Sequence, residues 1–341
     1  MGVIPPHLPS DRVRLFMAPL GKSRIFGVAR LSFYALIIRK ILTRKYAAII
    51  AYDAPSVVAA WLATRVIRIP FVYHSLELYL SNIPAFANRK ARFWKRLERA
   101  AHAKASFTIV QDEGRARLLL DENRVRKAHV FYVPNSFGGL SRHQHGNSDY
   151  LRRKYGIPEK NRIMLAVGGI ASFTRTIETI EAFLRCPPNW TLVIHGKKES
   201  DYFDRVQRMA DGRRLILSTD FLLDREFDAM VASADVGFAI YDRGAGKNIE
   251  AMGLSSGRIA AYLRCGVPVV ASGFPSLRQI IDSTSCGECV DSEDEIQQAV
   301  DRILHDYARY SSSALECYCH LFDFDTAYRA VVNELRLRQH S

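Results

Sequence analysis

The chain has no uninterrupted apolar stretch of the roughly 18 or more residues that a membrane-spanning helix needs, so none is expected. Its opening, MGVIPPHLPSDRVRLF, lacks the basic-then-apolar layout of a secretory signal, and MGVIPP lacks the Ser or Thr of a myristoylation signal. A cytoplasmic location is therefore expected. Cysteine is scarce, with six in 341 residues. Cys186, Cys265, Cys286, Cys289, Cys317 and Cys319 sit among apolar or helical residues and read as buried, reduced thiols. Cys286 and Cys289 form a C-x-x-C, with Cys317, Cys319 and His320 further on, but no compact zinc-ribbon spacing follows, so no metal is expected.

Acidic residues are scarce in one half only. Residues 1–137 hold 8 Asp+Glu against 23 Lys+Arg, a balance of +15. The remainder holds 27 against 25, a balance of −2, and the whole chain carries +13. This asymmetry points to an anionic partner for the first half: a membrane surface, a phosphorylated lipid or nucleic acid. Nucleic acid is not expected, because the chain has no helix-turn-helix, RRM-like or zinc pattern and its aromatics are not arrayed for base stacking.

What is present is the composition of a globular chain, 48% hydrophobic and 24% charged. Its length suggests two domains. Short apolar β-rich runs alternate with helical patterns. Strands are expected at 12–20, 47–53, 71–78, 106–112 and 129–135, with helices at 27–46, 55–67, 88–105 and 113–123. A polar, glycine-containing stretch at 134–150 reads as a linker. The alternation restarts with strands at 163–169, 191–196, 214–218, 236–241 and 267–272, and a helical tail follows from Ser292. Continuous apolar strands separated by helices predict an α/β fold: two Rossmann-like domains, each a buried parallel sheet covered on both faces. Such sheets bind ligands at the carboxyl ends of their strands, so two of them face each other across a cleft.

The stretch GLSSGRIAAYLRCGVPVVAS (253–272) concentrates the candidate chemistry. Ser255, Ser256, Gly257 and Arg258 open a helix, and Lys247 and Asn248 precede them in a polar loop. A helix start offers unpaired N–H groups and partial positive charge, Gly257 admits close backbone approach, and Arg258 can clamp a diphosphate. A plain serine N-cap with a solvated arginine is the simpler alternative. His74 and Glu77, at the end of FVYHSLEL, lie on the cleft edge of the first domain. There an imidazole can relay a proton or bind phosphate, and a carboxylate can orient a sugar hydroxyl. Two basic amphipathic helices, at 24–45 and 88–105, fit a surface that rests on anionic lipid. In the second, Phe93, Trp94, Leu97 and Ala101 are expected on one side and Arg89, Lys90, Arg92, Lys95, Arg96 and Arg99 elsewhere.

The 253–272 stretch resembles the signature of GT-B glycosyltransferases of the large group 1 family. VPNSF (133–137), LAVGGIASFTRTIETIEAF (165–183), TLVIHGKKE (191–199), DREFDAMVASADVGFAIY (224–241) and FDFDTAYRAVVNEL (322–335) resemble further family landmarks, in order. The resemblance implies an acceptor-side domain over 1–137, short of its first strand, and a nucleotide-sugar-binding domain over 138–321. A closing helix over 322–341 would pack back on the first. It implies a sugar donor held by Gly168, Gly169, Arg175, Lys247, Asn248 and Ser255 to Arg258, with His74 and Glu77 catalytic. It implies a retaining, metal-independent transfer without a cofactor beyond the nucleotide sugar, to a glycan or lipid-linked acceptor of a bacterial surface. The chain departs from the family in two places. Two family glutamates fall on Gly253 and Ala261, with Glu250 nearby in a different register, and a basic residue of the second domain's first loop falls on Gly169. Arg258 and Arg175 are the expected replacements. A catalytically inactive binding or scaffold protein on the same fold is the alternative.

Overall fold

The computed structural model describes residues 26–43, 46–80, 88–197 and 201–338. The strand expected at 12–20 lies outside them. Helix α1 (Phe26–Leu42) leads into β1 (Ile49–Tyr52), α2 (Asp53–Thr64), β2 (Phe71–His74), α3 (Arg89–His102), β3 (Thr108–Val110), α4 (Glu113–Asn123) and β4 (Val130–Tyr132). The four strands form one parallel sheet in the order β1-β2-β3-β4. All residues of β2 and β3 are buried, which is why these runs carry no alternation of polar residues.

The second sheet is built from β5 (Arg162–Val167), β6 (Trp190–His195), β7 (Leu215–Ser218), β8 (Val236–Ala239), β9 (Val269–Ser272) and β10 (Gly287–Val290). Its order is β10-β9-β8-β5-β6-β7, all parallel. Helices α5 (Tyr150–Tyr155), α6 (Thr176–Leu184), α7 (Asp201–Met209), α8 (Asp224–Ala232), α9 (Lys247–Glu250), α10 (Gly257–Arg264) and α11 (Pro275–Thr284) run between or before these strands. Apolar clusters pack on either side of the sheet, one with Leu165, Val193 and Tyr262, the other with Leu192, Phe238 and Ile303.

After α12 (Ile296–His305) and α13 (Tyr307–Cys317), a π-helical turn at Tyr318–Phe322 redirects the chain into α14 (Phe324–Leu337). Val331 of α14 is buried with Val72, Phe107, Ile109 and Val133 of the first domain. The sequence's one D-x-D spacing, Asp323-Phe324-Asp325, sits at this crossover, where Asp323 accepts from the Gly139 amide at 2.9 Å.

Two expectations are corrected here. Cys319 is exposed and Cys289 half-buried, while the other four cysteines are buried and all six are free thiols. On α3 the pattern is rotated. Lys95 is buried against Glu98, 3.0 Å away, and Phe93 is 55% exposed. Glu98 also accepts from Tyr73 and Asn123, both at 2.9 Å, and this polar network draws Lys95 inward.

Candidate active site

The site begins where β5 ends. Gly168 has φ of +110°, open to glycine, and its missing side chain leaves room for Arg258, whose Nη2 lies 3.0 Å from where a Cβ would stand. Tyr262, one turn after Arg258 on α10, fixes this strand end. Its buried hydroxyl accepts from the Val167 amide at 2.9 Å and donates to the Leu165 carbonyl at 2.8 Å. Its ring crosses β8 at Gly237, where a Cβ would fall 2.4 Å from it. Burial pushes the Tyr262 hydroxyl pKa up, so it stays protonated and keeps both bonds.

Arg258 is half-buried and stacks over the Tyr241 ring, 5.2 Å from its centroid. Among the described residues it has no ion-pair partner, and it lines a narrow crevice of about 10 Å³ with Gly168, Gly169, Thr174 and Thr176. A guanidinium without an ion-pair partner, beside the N–H groups of a helix start, has the chemistry to take an anion. The serines behave differently. Ser256 is the N-cap of α10, accepting from the Ile259 amide at 3.3 Å, and the Ser255 hydroxyl donates to the Met252 carbonyl at 2.9 Å. The simple-cap reading therefore describes Ser256, while Arg258 stands apart from it. Gly257 faces Asn135 of the first domain, with the Asn135 side chain 3.7 Å from the position of a Cβ.

Arg175 is held elsewhere. It adopts a left-handed backbone (φ +43°) and pairs with Glu293, with Asp242 at 4.0 Å. It borders a neighbouring cavity with Tyr241, Arg243 and Ser272. Lys247 is exposed at the start of α9. Asn248 reaches across the cleft, donating to the Glu77 carboxylate at 3.1 Å.

His74 ends β2 beneath Tyr52, ring centroids 4.7 Å apart. It is 3% exposed, and neither ring nitrogen has a hydrogen-bond partner among the described residues. Burial lowers its pKa to about 4. At neutral pH the ring is therefore uncharged, which removes the phosphate-binding use expected of it. As a neutral ring it offers one N–H donor and one nitrogen acceptor for a hydrogen bond. The following loop is pinned by Asp53, whose carboxylate accepts from the Leu76 and Glu77 amides at 2.8 and 3.0 Å. Asp53 itself holds a left-handed φ of +60°, a conformation that aspartate tolerates better than most residues.

Residues 2–136 match the glycosyl transferase 4-like domain, and residues 147–314 match the glycosyl transferases group 1 domain. The chain belongs to the group 1 glycosyltransferases. No curated protein sequence matches it. HepE of Anabaena, solved in complex with UDP, is similar in structure with a TM-score of 0.67 and 17% identity, over 91% of this chain and 84% of that one. A sucrose-phosphate synthase of Thermosynechococcus elongatus is similar with a TM-score of 0.68 and 19% identity, over 91% and 78%. An α,α-trehalose-phosphate synthase of Burkholderia xenovorans, solved with glucose-6-phosphate, gives 0.66 and 11%, over 91% and 78%. At these identities the likeness is one of fold, the two-domain GT-B arrangement.

Within this glycosyltransferase, five residues that shape the site were not among those expected from the sequence. Asp53, Arg115, Asn135, Tyr241 and Tyr262 shape it through hydrogen bonds and stacking. Asn135, Tyr241 and Tyr262 lie in the VPNSF, 224–241 and 253–272 stretches, while Asp53 and Arg115 lie in none of the landmarks; the Asn135 amide donates to the Ser255 carbonyl at 3.2 Å. Ala261, at the place of a family glutamate, is buried in α10 at 5% exposure.

Proposed function

We propose that this group 1 glycosyltransferase takes a nucleotide-diphosphate sugar in its second domain and transfers the sugar to a glycan or lipid-linked acceptor presented by the first. The observation that carries the reading is the open guanidinium of Arg258, at the start of α10 and against the glycine backbone of Gly168. There it would neutralise the charge that develops on the departing diphosphate, usually a large term in such transfers. Gly169 lines the same crevice, and exposed Lys247, at the start of α9, has no ion-pair partner among the described residues. Arg175 joins the site only by leaving Glu293. The solved relatives that bind UDP and UDP-glucose support a nucleotide donor.

On the first domain, neutral His74 would hold or relay the acceptor proton, and Glu77 would orient a hydroxyl. Transfer with retention, without metal and without a further cofactor, is the reading that follows from the family pattern. Among the described residues no three His, Cys, Asp or Glu side chains are grouped to hold a metal ion.

The acceptor side favours a bacterial surface glycan or glycolipid, made at the inner face of a membrane. No described helix is long and apolar enough to cross one. Instead Leu62, Phe93 and Val66 are exposed on α2, α3 and the turn after α2, and Arg65, Arg68, Arg89, Arg92 and Arg96 on the same segments are exposed too. Apolar anchors accompanied by arginine suit an anionic lipid surface.

The test is release of nucleoside diphosphate from UDP-, GDP- and ADP-sugars, with and without a bacterial lipid extract as acceptor. Release from donors of one nucleotide, lost in Arg258→Ala and in His74→Ala, is the expected result. A folded wild-type chain that neither binds nor turns over any donor would restore the inactive-scaffold reading.

A further inference from the structure

Arg115 grips both sides of the cleft at once. It sits in the first turn of α4 and is 2% exposed, the largest side chain buried to that degree. Its Nε donates to Gln111 Oε1 at 2.7 Å, and its Nη2 donates to the Leu76 carbonyl at 2.8 Å. Gln111 in turn donates to the Ser75 carbonyl at 2.9 Å. All of this belongs to the first domain, in the loop that follows His74. The remaining nitrogen, Nη1, crosses to the second domain and donates to the Asn248 and Ala251 carbonyls, each at 3.3 Å.

Those two carbonyls lie at the C-terminal end of α9, where backbone oxygens lack partners within the helix and a cation is favoured. A helix of four residues has too few internal hydrogen bonds to hold itself together. Its cap comes from the other domain. Burial disfavours the charged guanidinium, and the negative charges of Glu77, Asp112 and Asp53 act against that cost.

We propose that Arg115 is the positioning residue that couples the loop carrying Lys247 and Asn248 to the end of β2. While the domains are together, one planar fork fixes Leu76 and α9 in a single geometry, and Asn248 meets Glu77. When they part, Nη1 loses both carbonyls and α9 loses its cap. The loop is then ordered only in the closed molecule. The functional weight of this coupling rests on the reading of that loop as part of the donor site.

Hydrogen–deuterium exchange on the full chain without ligand tests the coupling. In Arg115→Met, amides of 247–256 and 74–78 are expected to exchange at least about tenfold faster, a change of about 1.4 kcal/mol in local opening. Strands β5 and β6 are expected to keep their protection. Arg115→Lys keeps the charge but not the fork and should fall between the two. Unchanged protection of 247–256 in folded Arg115→Met overturns the proposal, as does a loss spread evenly over the second-domain core. If Arg115→Met does not fold, Arg115→Lys is read by the same criterion. Titration of the same proteins with UDP and GDP separates the two claims. Nucleotide binding weakened in Arg115→Met supports the coupling acting on the donor site. Absence of binding in wild type, with the exchange effect intact, overturns the donor reading and supports the coupling alone.

Discussion

The hydroxyl of Tyr262 accepts the amide hydrogen of Val167 at 2.9 Å and so ties α10 to the last residue of β5. Arg258 stands on α10 and Gly168 directly follows β5, so this bond joins the two halves of the proposed anion site. Tyr262→Phe should leave the Val167 amide unpaired in a buried place. The expected cost is about 1–3 kcal/mol of stability, read as a lower midpoint in urea. Nucleotide affinity should fall with it, because the Gly168 backbone is no longer fixed.

Gly237 is the reverse side of the same contact. A methyl there would stand 2.4 Å from the Tyr262 ring, which is hemmed in at 0% exposure. Gly237→Ala should destabilise the second domain by roughly 1–3 kcal/mol, seen in its thermal unfolding. Normal stability in this variant would mean that the ring has room to move, and the fixed β5 end would then be in doubt.

Two buried histidines set the acid limit of the fold. His74 and His102 both have pKa values lowered to about 4 by burial, against 6.5 when unfolded. Below pH 6.5 the unfolded chain takes up protons that the folded chain refuses. Stability present above pH 6.5 is therefore lost as pH falls toward 4, at up to about 1.4 kcal/mol per unit for each ring. His74→Phe should flatten this dependence by about one proton between pH 6 and 4.5. The same slope in wild type and variant would show that His74 is not buried neutral.

How much of this could be read from sequence follows from how each feature is encoded. The apolar strands announced themselves: of the ten strands among the described residues, seven fall within the expected runs and two more, β5 and β6, begin one residue before theirs. The tenth, Gly-Glu-Cys-Val at β10, is too short and too polar to show a pattern; its place comes from pairing with β9. Helix α5 was equally hidden, in six mostly polar residues next to the linker. In the site, Arg258 was visible because it opens a helix after a glycine. Arg115 was not. Two residues further along α4, the Arg117 side chain is 71% exposed in an ordinary pair with Glu113, and nothing in EGRARLLL tells the two arginines apart. Which one is buried depends on Gln111, Leu76 and Asn248, which are far apart in sequence.

The basic surface of the first domain makes a separate prediction. Wild-type protein should sediment with vesicles containing acidic lipid and not with neutral ones, and salt should release it. Replacing Arg89, Arg92 and Arg96 with serine should cost about 1 kcal/mol per charge, and Phe93→Asp should weaken binding further. Equal binding to neutral vesicles would contradict an electrostatic surface.

The most direct test of the central claim is calorimetric titration with UDP, GDP and the corresponding nucleosides, wild type beside Arg258→Ala. The account predicts that one nucleoside diphosphate binds and that Arg258→Ala loses about 1.5–3 kcal/mol of that binding, roughly tenfold to a hundredfold or more in Kd. The affinity of the nucleoside alone should be unchanged. Equal diphosphate affinity in the two proteins would contradict it, because the open guanidinium at the start of α10 would then not be where the diphosphate is held.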